Sequence, residues 1–465
     1  MTTQALFTSI PIDLLRKYDR PGPRYTSYPT APVWSNDIGA DAYAEALRAA
    51  AVKTDLPLAL YCHIPFCRKR CYYCGCNTVI TNNRDRVNKY VADLALEIIK
   101  TSEQLGERRG VSQLHLGGGT PTFVDCKGLE IVLKVIEEKF RFTTGAEKSI
   151  EVDPRVTTDE QLEFLASVGF NRVSIGTQDF DQSVQEAIGR IQSYERVKHI
   201  IEKSRSLHFR GINIDLIYGL PRQSVESFKA TLAKAISLEP DRVALYSFAY
   251  LPQSMANQAV IKSEELPETE VKYRLFATAI EAFTRAGYRQ IGMDHFARPD
   301  DELALAQQDG RLHRNFMGYT VQTAPEMIGF GMSAIGYVNN AFFQNHSKLD
   351  SYENAIRESG FATYRGMRLT QDDLIRQYVI SQLMCNFRLQ YQALEQMFGV
   401  SYRDYFANEH DQLGGFLEDR LINVEANGLQ ITPIGRTFVR NIAMTFDAYL
   451  DGKGESRGVR FSRTI

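Results

Sequence analysis

The chain has 465 residues, too many for one ordinary domain at roughly 150 residues each. Apolar residues make up 44% and charged residues 24%, which is the range of folded globular proteins and excludes a disordered chain. Lys and Arg number 54 against 56 Asp and Glu, a net charge of −2, so no overall basic excess draws the chain to nucleic acid or to an anionic membrane.

Residues 1–56 read as an N-terminal arm interrupted by Pro21, Pro23, Pro29 and Pro32. The arm shows no basic stretch followed by an apolar one, and no run of about 18 apolar residues occurs anywhere. Neither a secretory signal nor a membrane-spanning helix is therefore expected, and a cytoplasmic, reducing location is. From residue 57 apolar strand-like runs alternate with amphipathic helical patterns. The strands are expected at Leu58–His63, Ser112–Leu116, Ser149–Val152, Arg172–Ile175, Ile212–Tyr218 and Arg242–Phe248. Helical spacing marks Val91, Leu94, Ile98, then Leu129, Val132, Ile136, then Leu162, Leu165, and later Phe228, Leu232, Ile236. This alternation over 57–290 predicts α/β architecture, with parallel strands joined by right-handed crossovers. Periodicity alone does not choose between an open sheet and a partial barrel. Residues 291–360 read as an extension of that unit. Residues 361–465 turn to helices (Asp373–Leu383, Tyr391–Phe398) and two short strands around a polar turn. This predicts a separate, mainly helical, winged-helix-like C-terminal domain that serves as lid or scaffold.

Residues capable of chemistry fall just after the expected strands. A cysteine loop follows the first, Gly117-Gly118-Gly119 the second, Glu151 ends the third, Gln178 follows the fourth, Asp215 lies in the fifth and Ala249 follows the sixth. Parallel α/β proteins build their sites at the carboxyl ends of their strands, so the two patterns support one another.

Of seven cysteines, Cys67, Cys71, Cys74 and Cys76 fall within ten residues, whereas Cys62, Cys126 and Cys385 are scattered. A disulfide framework needs a small secreted chain with dispersed pairs. Clustered thiols in a reducing compartment point instead to metal or catalysis. A zinc site would want a second knuckle, and neither His115 nor Cys126 provides one. The spacing Cys67-x3-Cys71-x2-Cys74 lets three thiolates of one loop converge on an iron–sulfur cluster with one iron left open. Cys76 would close that iron as a fourth ligand, or lie beside the cluster without ligating it.

The stretch Tyr61-Cys-His-Ile-Pro-Phe-Cys67 through Cys74-Gly-Cys76 resembles the radical S-adenosylmethionine (SAM) superfamily and, within it, the oxygen-independent coproporphyrinogen III oxidase family. Gly22-Pro-Arg-Tyr-Thr-Ser-Tyr-Pro-Thr30, Leu116-Gly-Gly-Gly-Thr-Pro-Thr122, Ile150-Glu-Val-Asp-Pro154, Asn213–Pro221 and Gly292–Pro299 agree with that family. The resemblance implies a partial (β/α)6 radical SAM barrel. It implies a [4Fe–4S] cluster on Cys67, Cys71 and Cys74, and two molecules of SAM. The first SAM would meet Tyr61, Gly118, Glu151 and Ile335. The second would meet Tyr73, Gly119, Thr120, Gln178, Arg190, Asp215 and Ala249. The implied activity is oxidative decarboxylation of two propionates of coproporphyrinogen III to vinyl groups. A flavodoxin-like electron donor and an unknown electron acceptor would accompany it, with the chain a monomer. The alternative is a haem-binding, haem-delivery protein of the same superfamily.

Arg24, in the proline-rich arm, is the candidate substrate contact, because arginine binds carboxylates in a bidentate fork. Arg298, Arg311, His313, Arg314 and His295 form a second basic group by sequence proximity. Arg190 and Asp215, otherwise second-SAM candidates, are also candidates for a simple salt bridge with each other.

Overall fold

A computed structural model describes residues 10–321, 324–450 and 461–464. Residues 1–9 of the expected arm and 451–460 of the expected C-terminal domain lie outside the described residues. The central sheet is built from β1 (Leu58–Ile64), β2 (Gly110–Gly118), β3 (Arg141–Val152), β4 (Arg172–Gln178), β5 (Gly211–Tyr218) and β6 (Arg242–Ser247). These strands are parallel and lie side by side in chain order. All six match runs read from hydrophobicity; five run one to several residues past at least one expected end, and β6 stops one residue short of Phe248. β3 begins eight residues early because its first half is exposed and polar, which hides it from an apolar pattern.

On the far side of β1 lies β7 (Glu326–Phe330), also parallel. Three antiparallel strands follow it outward, Ile335–Val338, Ala341–Asn345 and Thr363–Arg368. Past β6 the sheet continues through His295–Ala297 and Arg289–Ile291, again antiparallel. β6 and β7 do not pair, so the sheet curls into a partial barrel and stays open. The expected boundary at 361 precedes a strand that still belongs to this sheet. The helical pattern starts only at Gln371, where Thr370 and Asp373 form a reciprocal capping box.

Helices fill the crossovers because each carries one apolar stripe. Arg84–Gln104 buries Val87, Val91, Leu94 and Ile98, and Asn83 caps its first amides. Between β4 and β5 lie Gln182–Ala187 and Tyr194–Ser206, which the sequence pattern did not single out. The first has six residues, too few to show a helical period. Leu60, Leu114, Leu116, Ile150, Ile175 and Ile214 from the strands are fully buried against these helices.

The C-terminal region has its own apolar cluster, including Val379, Leu383, Leu394, Phe406, Leu429 and Ile442. A hairpin of Ile422–Glu425 and Gly428–Ile431 pairs with Arg388–Gln390 beside the helices Gln371–Asn386 and Tyr391–Phe398. Tyr18, Tyr25 and Tyr28 of the arm join the same cluster. The Tyr25 hydroxyl donates to Asp447 at 2.9 Å, and the Gln377 amide donates to the Tyr28 carbonyl at 2.8 Å. From that anchorage the arm reaches the barrel mouth, where Arg24 Nη2 donates to the Ser247 carbonyl at 2.7 Å. No helix among the described residues is long and apolar enough to cross a membrane.

Candidate active site

The cysteine loop is an excursion between two short strands, Phe66–Cys67 and Val79–Ile80, which pair in parallel just past the end of β1. Tyr72 and Tyr73 anchor it by packing against Val184, Ile188, Ile217 and Phe248. Cys71 is buried, Cys67 and Cys74 are partly exposed, and Cys76 is exposed. Cys67 Sγ lies 3.3 Å from the Thr120 hydroxyl. Burial pushes the Cys67 thiol up to about 11. A hydrogen bond from Cys76 brings Cys74 down to about 6, and Arg70 and Arg190 favour the same thiolate. Cys71 Sγ accepts from Arg155 Nη2 at 3.5 Å and from Arg190 Nη1 at 3.8 Å. Among the described residues no three His, Cys, Asp or Glu side chains converge on a single-ion site. A cluster of several irons spreads its ligands over separate metals. A soft, sulfur-only trio flanked by cations therefore suits an anionic iron–sulfur cluster.

The glycines beside the loop are there for close approach. A Cβ on Gly119 would lie 2.6 Å from the Pro65 carbonyl oxygen, and one on Gly118, whose φ is +116°, would strike the His63 ring. Gly119 N–H donates to the Ile64 carbonyl at 2.8 Å and Thr120 N–H to the Phe66 carbonyl at 3.0 Å. The glycine segment and the cysteine loop are thus one rigid unit. Gly118 N–H donates to Glu151 Oε2 at 3.1 Å, and His115 Nε2 lies 3.4 Å from Oε1. Burial raises the Glu151 pKa, but His115 and the Gly118 amide outweigh it and hold the carboxyl below its ordinary value. His115 stacks on Tyr61 with an interplanar angle of 15°. The Tyr61 hydroxyl lies 2.9 Å from His63 Nδ1, and His63 Nε2 lies 2.9 Å from the Asn77 carbonyl. A carbonyl only accepts, so Nε2 carries the proton and Tyr61 donates to Nδ1. Gly329 in β7 pairs in register with Tyr61, and the Ile335 backbone packs on that glycine. Tyr61, Gly118, Glu151 and Ile335 thereby occupy adjoining positions around the end of β1.

Arg190 is buried and donates to Asp153 Oδ2 at 3.1 Å and to the Gly176 carbonyl at 2.7 Å. Its ion pair is with Asp153, not with Asp215, which corrects the simple pairing expected from sequence. Its Nε is buried with no partner. Gln178 ends β4 with φ of 65°, an uncommon conformation for a non-glycine residue. The Ala249 carbonyl accepts from Gln258 Nε2 at 3.1 Å.

Asp215 lines a cavity of about 130 Å³ inside the barrel with His115, Ser149, Glu151, Ser174 and Tyr246. Asn213 Nδ2 donates to its Oδ1 at 2.8 Å, and the Ser174 hydroxyl lies 3.2 Å away. Burial, aided by the charge of Glu151, raises its pKa to about 7. An unfolded aspartate releases its proton near about 3.9. The folded state therefore holds the extra proton between those values, and stability falls as pH rises from about 4 to 7. Asp215→Asn is expected to stabilise the ligand-free protein at pH 8 by on the order of 2 kcal/mol, and by nothing at pH 4. Urea unfolding at the two pH values measures this. An equal effect at both would show that the carboxyl titrates normally.

The second basic group does not hold together. Arg311 is exposed and pairs with Asp309, and Arg298 reaches Asp241 only at 4.0 Å. The Arg314 side chain, 8% exposed, lies 3.8 Å from Asp294, and His295 Nδ1 lies 2.7 Å from Asp294 Oδ1. His313 lines a different cavity, with Tyr25, Tyr28 and Phe398.

Two residues that the sequence did not flag organise the centre. Asn257 Nδ2 donates to the carbonyls of Cys71, Tyr72 and Cys74 at 3.2, 3.0 and 2.9 Å. Gln258 ties the Tyr73 carbonyl, at 3.2 Å, to the Ala249 segment. They sit in a short 3₁₀ turn, Ala256–Val260, about 185 residues from their partners, where no local pattern marks them. Asp153 was visible only as a neighbour of Glu151, and Arg155 was not singled out.

A partial parallel barrel with a three-cysteine loop at the end of its first strand defines a radical SAM protein, and the Radical SAM superfamily profile matches residues 61–235. A HemN C-terminal domain profile matches residues 369–438. The chain is 44% identical to the oxygen-independent coproporphyrinogen III oxidase of Escherichia coli strain K12, covering 97% of this chain and 98% of the relative. It is 43% identical to the enzyme of that name from Pseudomonas aeruginosa, covering 97% and 98%. The solved structure of coproporphyrinogen III oxidase (HemN) from Escherichia coli, described as a radical SAM enzyme, superposes with TM-score 0.90 at 43% identity, covering 95% of this chain and 99% of that one. This chain belongs to the oxygen-independent coproporphyrinogen III oxidase family. That membership implies a [4Fe–4S] cluster and SAM, and the donor set at Cys67, Cys71 and Cys74 fits the cluster.

Proposed function

We propose that this chain converts coproporphyrinogen III to protoporphyrinogen IX without oxygen, turning two propionate side chains into vinyl groups. The observation that carries the reading is the cysteine trio on a loop tied to the glycine segment that holds Glu151, in a chain similar to named oxidases along nearly its whole length. When bound, the cluster and SAM would supply a 5′-deoxyadenosyl radical able to take a hydrogen atom from a propionate β-carbon, and the loss of CO2 that leaves a vinyl group would pass one further electron to an external acceptor.

The residues of this chain bind, orient and shield. Cys67, Cys71 and Cys74 hold the cluster, and Asn257 fixes the loop that presents them. Glu151, kept ionised by Gly118 N–H and His115, takes the cationic amino group of a first SAM, with Tyr61 and Ile335 beside it. A second SAM sits among Tyr73, Gly119, Thr120, Gln178, Arg190, Asp215 and Ala249, where the unpaired Arg190 Nε meets an acceptor. Arg24 and the arm close the barrel mouth and keep water from the reacting carbon. The working division is an arm over 1–56, a barrel over 57–290, its extension over 291–360 and a C-terminal domain over 361–465. The enzyme acts as a cytoplasmic monomer fed by a flavodoxin-like donor.

Iron-loaded protein incubated anaerobically with coproporphyrinogen III, SAM and dithionite is expected to yield protoporphyrinogen IX together with 5′-deoxyadenosine. Absence of both products from fully loaded protein rejects the proposal, and tight haem binding in their place favours haem delivery.

A further inference from the structure

A small cavity lies where the barrel mouth, the arm and the C-terminal domain meet. Arg24 of the arm, Tyr218 and Ser247 at the ends of β5 and β6, Lys272, Arg436 and Arg440 line it. Its volume is about 50 Å³, room for a carboxylate with a water or two and not for a ring.

Two of the arginines here, Arg440 and Arg436, face no carboxylate of their own. Arg440 is 7% exposed, and its Nε and Nη1 donate to the carbonyls of Pro23 and Arg463, both at 2.9 Å. Its remaining bonds go to the carbonyls of Gly22 and Ser462, so all its partners are neutral. The Arg436 guanidinium makes no ion pair among the described residues, and its Nε is buried without a partner. Its guanidinium lies 4.6 Å over the Phe387 ring. The neighbouring Thr437 hydroxyl, also on the cavity wall, is buried and unpaired too. The one carboxylate among the described lining residues is Asp294, which is engaged by His295 at 2.7 Å and faces Arg314 at 3.8 Å. Three guanidinium groups, those of Arg24, Arg436 and Arg440, therefore share a wall with one committed acid. Burial brings Arg440 down to about 9, and repulsion from Arg24 adds to it. Buried positive charge without compensation is costly, and a chain that keeps it at a cavity wall is set to receive an anion.

We propose that this cavity is a carboxylate subsite, in which Arg436 and Arg24 bind one propionate of the tetrapyrrole substrate and Arg440 supplies the buried positive field. The inference rests on the function proposed above. An oxyanion of this size is either a substrate carboxylate or free inorganic phosphate, and position favours the first. Arg24 holds Ser247 by its carbonyl, two residues before Ala249, so the subsite adjoins the reacting centre. A propionate fixed there sets the orientation of the whole macrocycle.

The test measures KM for coproporphyrinogen III and for SAM in wild type and Arg436→Gln, and binding of coproporphyrin III to each by fluorescence. Loss of a charge-assisted bond is expected to raise the coproporphyrinogen III KM and weaken coproporphyrin III binding about 10–100-fold, with the SAM KM unchanged. Arg436→Lys is expected to recover part of the loss. Equal KM and binding in wild type and Arg436→Gln overturn the proposal, as does a matched rise in both KM values. Weakened binding of inorganic phosphate with coproporphyrin III binding intact also overturns it, and makes the cavity a free-anion site. Arg24→Gln, measured the same way, decides the matter if Arg436→Gln does not fold. Wild-type protein that neither binds coproporphyrin III nor forms protoporphyrinogen fails the functional reading instead.

Discussion

Cys71→Ala is expected to purify without a [4Fe–4S] cluster, with iron and sulfide near zero and no 5′-deoxyadenosine above background. The loss exceeds the 10–100-fold that typically follows removal of a metal site's supporting contacts, because a ligand itself is gone. Cys71 is the most buried of the three candidate ligands, and it alone is approached by two guanidinium groups, those of Arg155 and Arg190. Cys76 is exposed and hydrogen-bonded to Cys74, so it is not expected to take the place of the buried Cys71. Cys76→Ser is therefore expected to keep its full iron content. Iron and sulfide analysis with the visible absorption spectrum of the reconstituted proteins settles both. A Cys71→Ala protein that retains four irons, or a Cys76→Ser protein that loses them, overturns the ligand assignment.

Much of this was legible in the chain because the information is local. The six parallel strands announce themselves as buried apolar runs, and the cysteine spacing lies on one loop. Parallel strands put candidate residues at their carboxyl ends, so the placement of Glu151 and Asp215 on β3 and β5 could be read without knowing any distant contact. What stayed hidden depends on partners far apart in sequence. Arg190 reaches Asp153 across 37 residues, and Arg440 reaches Pro23 across 417. Asn257 satisfies three carbonyls of a loop that, read alone, shows no sign of needing a donor. The basic group around Arg298 and Arg311 failed for the opposite reason. Nearness along the chain was taken for nearness in space, and a hairpin and a turn sent those side chains to solvent and to separate walls.

Arg190→Met is expected to lower unfolding stability by about 3 kcal/mol, at the low end of what breaking a buried ion pair costs. The low end applies because Asp153 keeps Arg155, whose Nη2 lies 2.6 Å from Oδ2. Burial raises the Asp153 pKa, but Arg190 and Arg155 prevail and hold it below the usual carboxylate value. A carboxyl depressed in the folded state contributes stability that is present above its unfolded pKa, near about 4, and is lost as pH falls through the folded one. That acid-side loss should shrink in Arg190→Met, because the shift that causes it is smaller. Arg190→Lys separates structure from function. An ammonium restores charge beside Asp153 and so most of the stability. It cannot reproduce the planar fork that bonds Asp153, the Gly176 carbonyl and Cys71 at once while aiming Nε elsewhere. If Nε serves a second SAM, Arg190→Lys regains stability in urea yet binds that molecule at least about 10-fold more weakly by equilibrium dialysis. If lysine restores SAM stoichiometry along with stability, Arg190 only braces the cysteine loop, and the second binding site loses its strongest support.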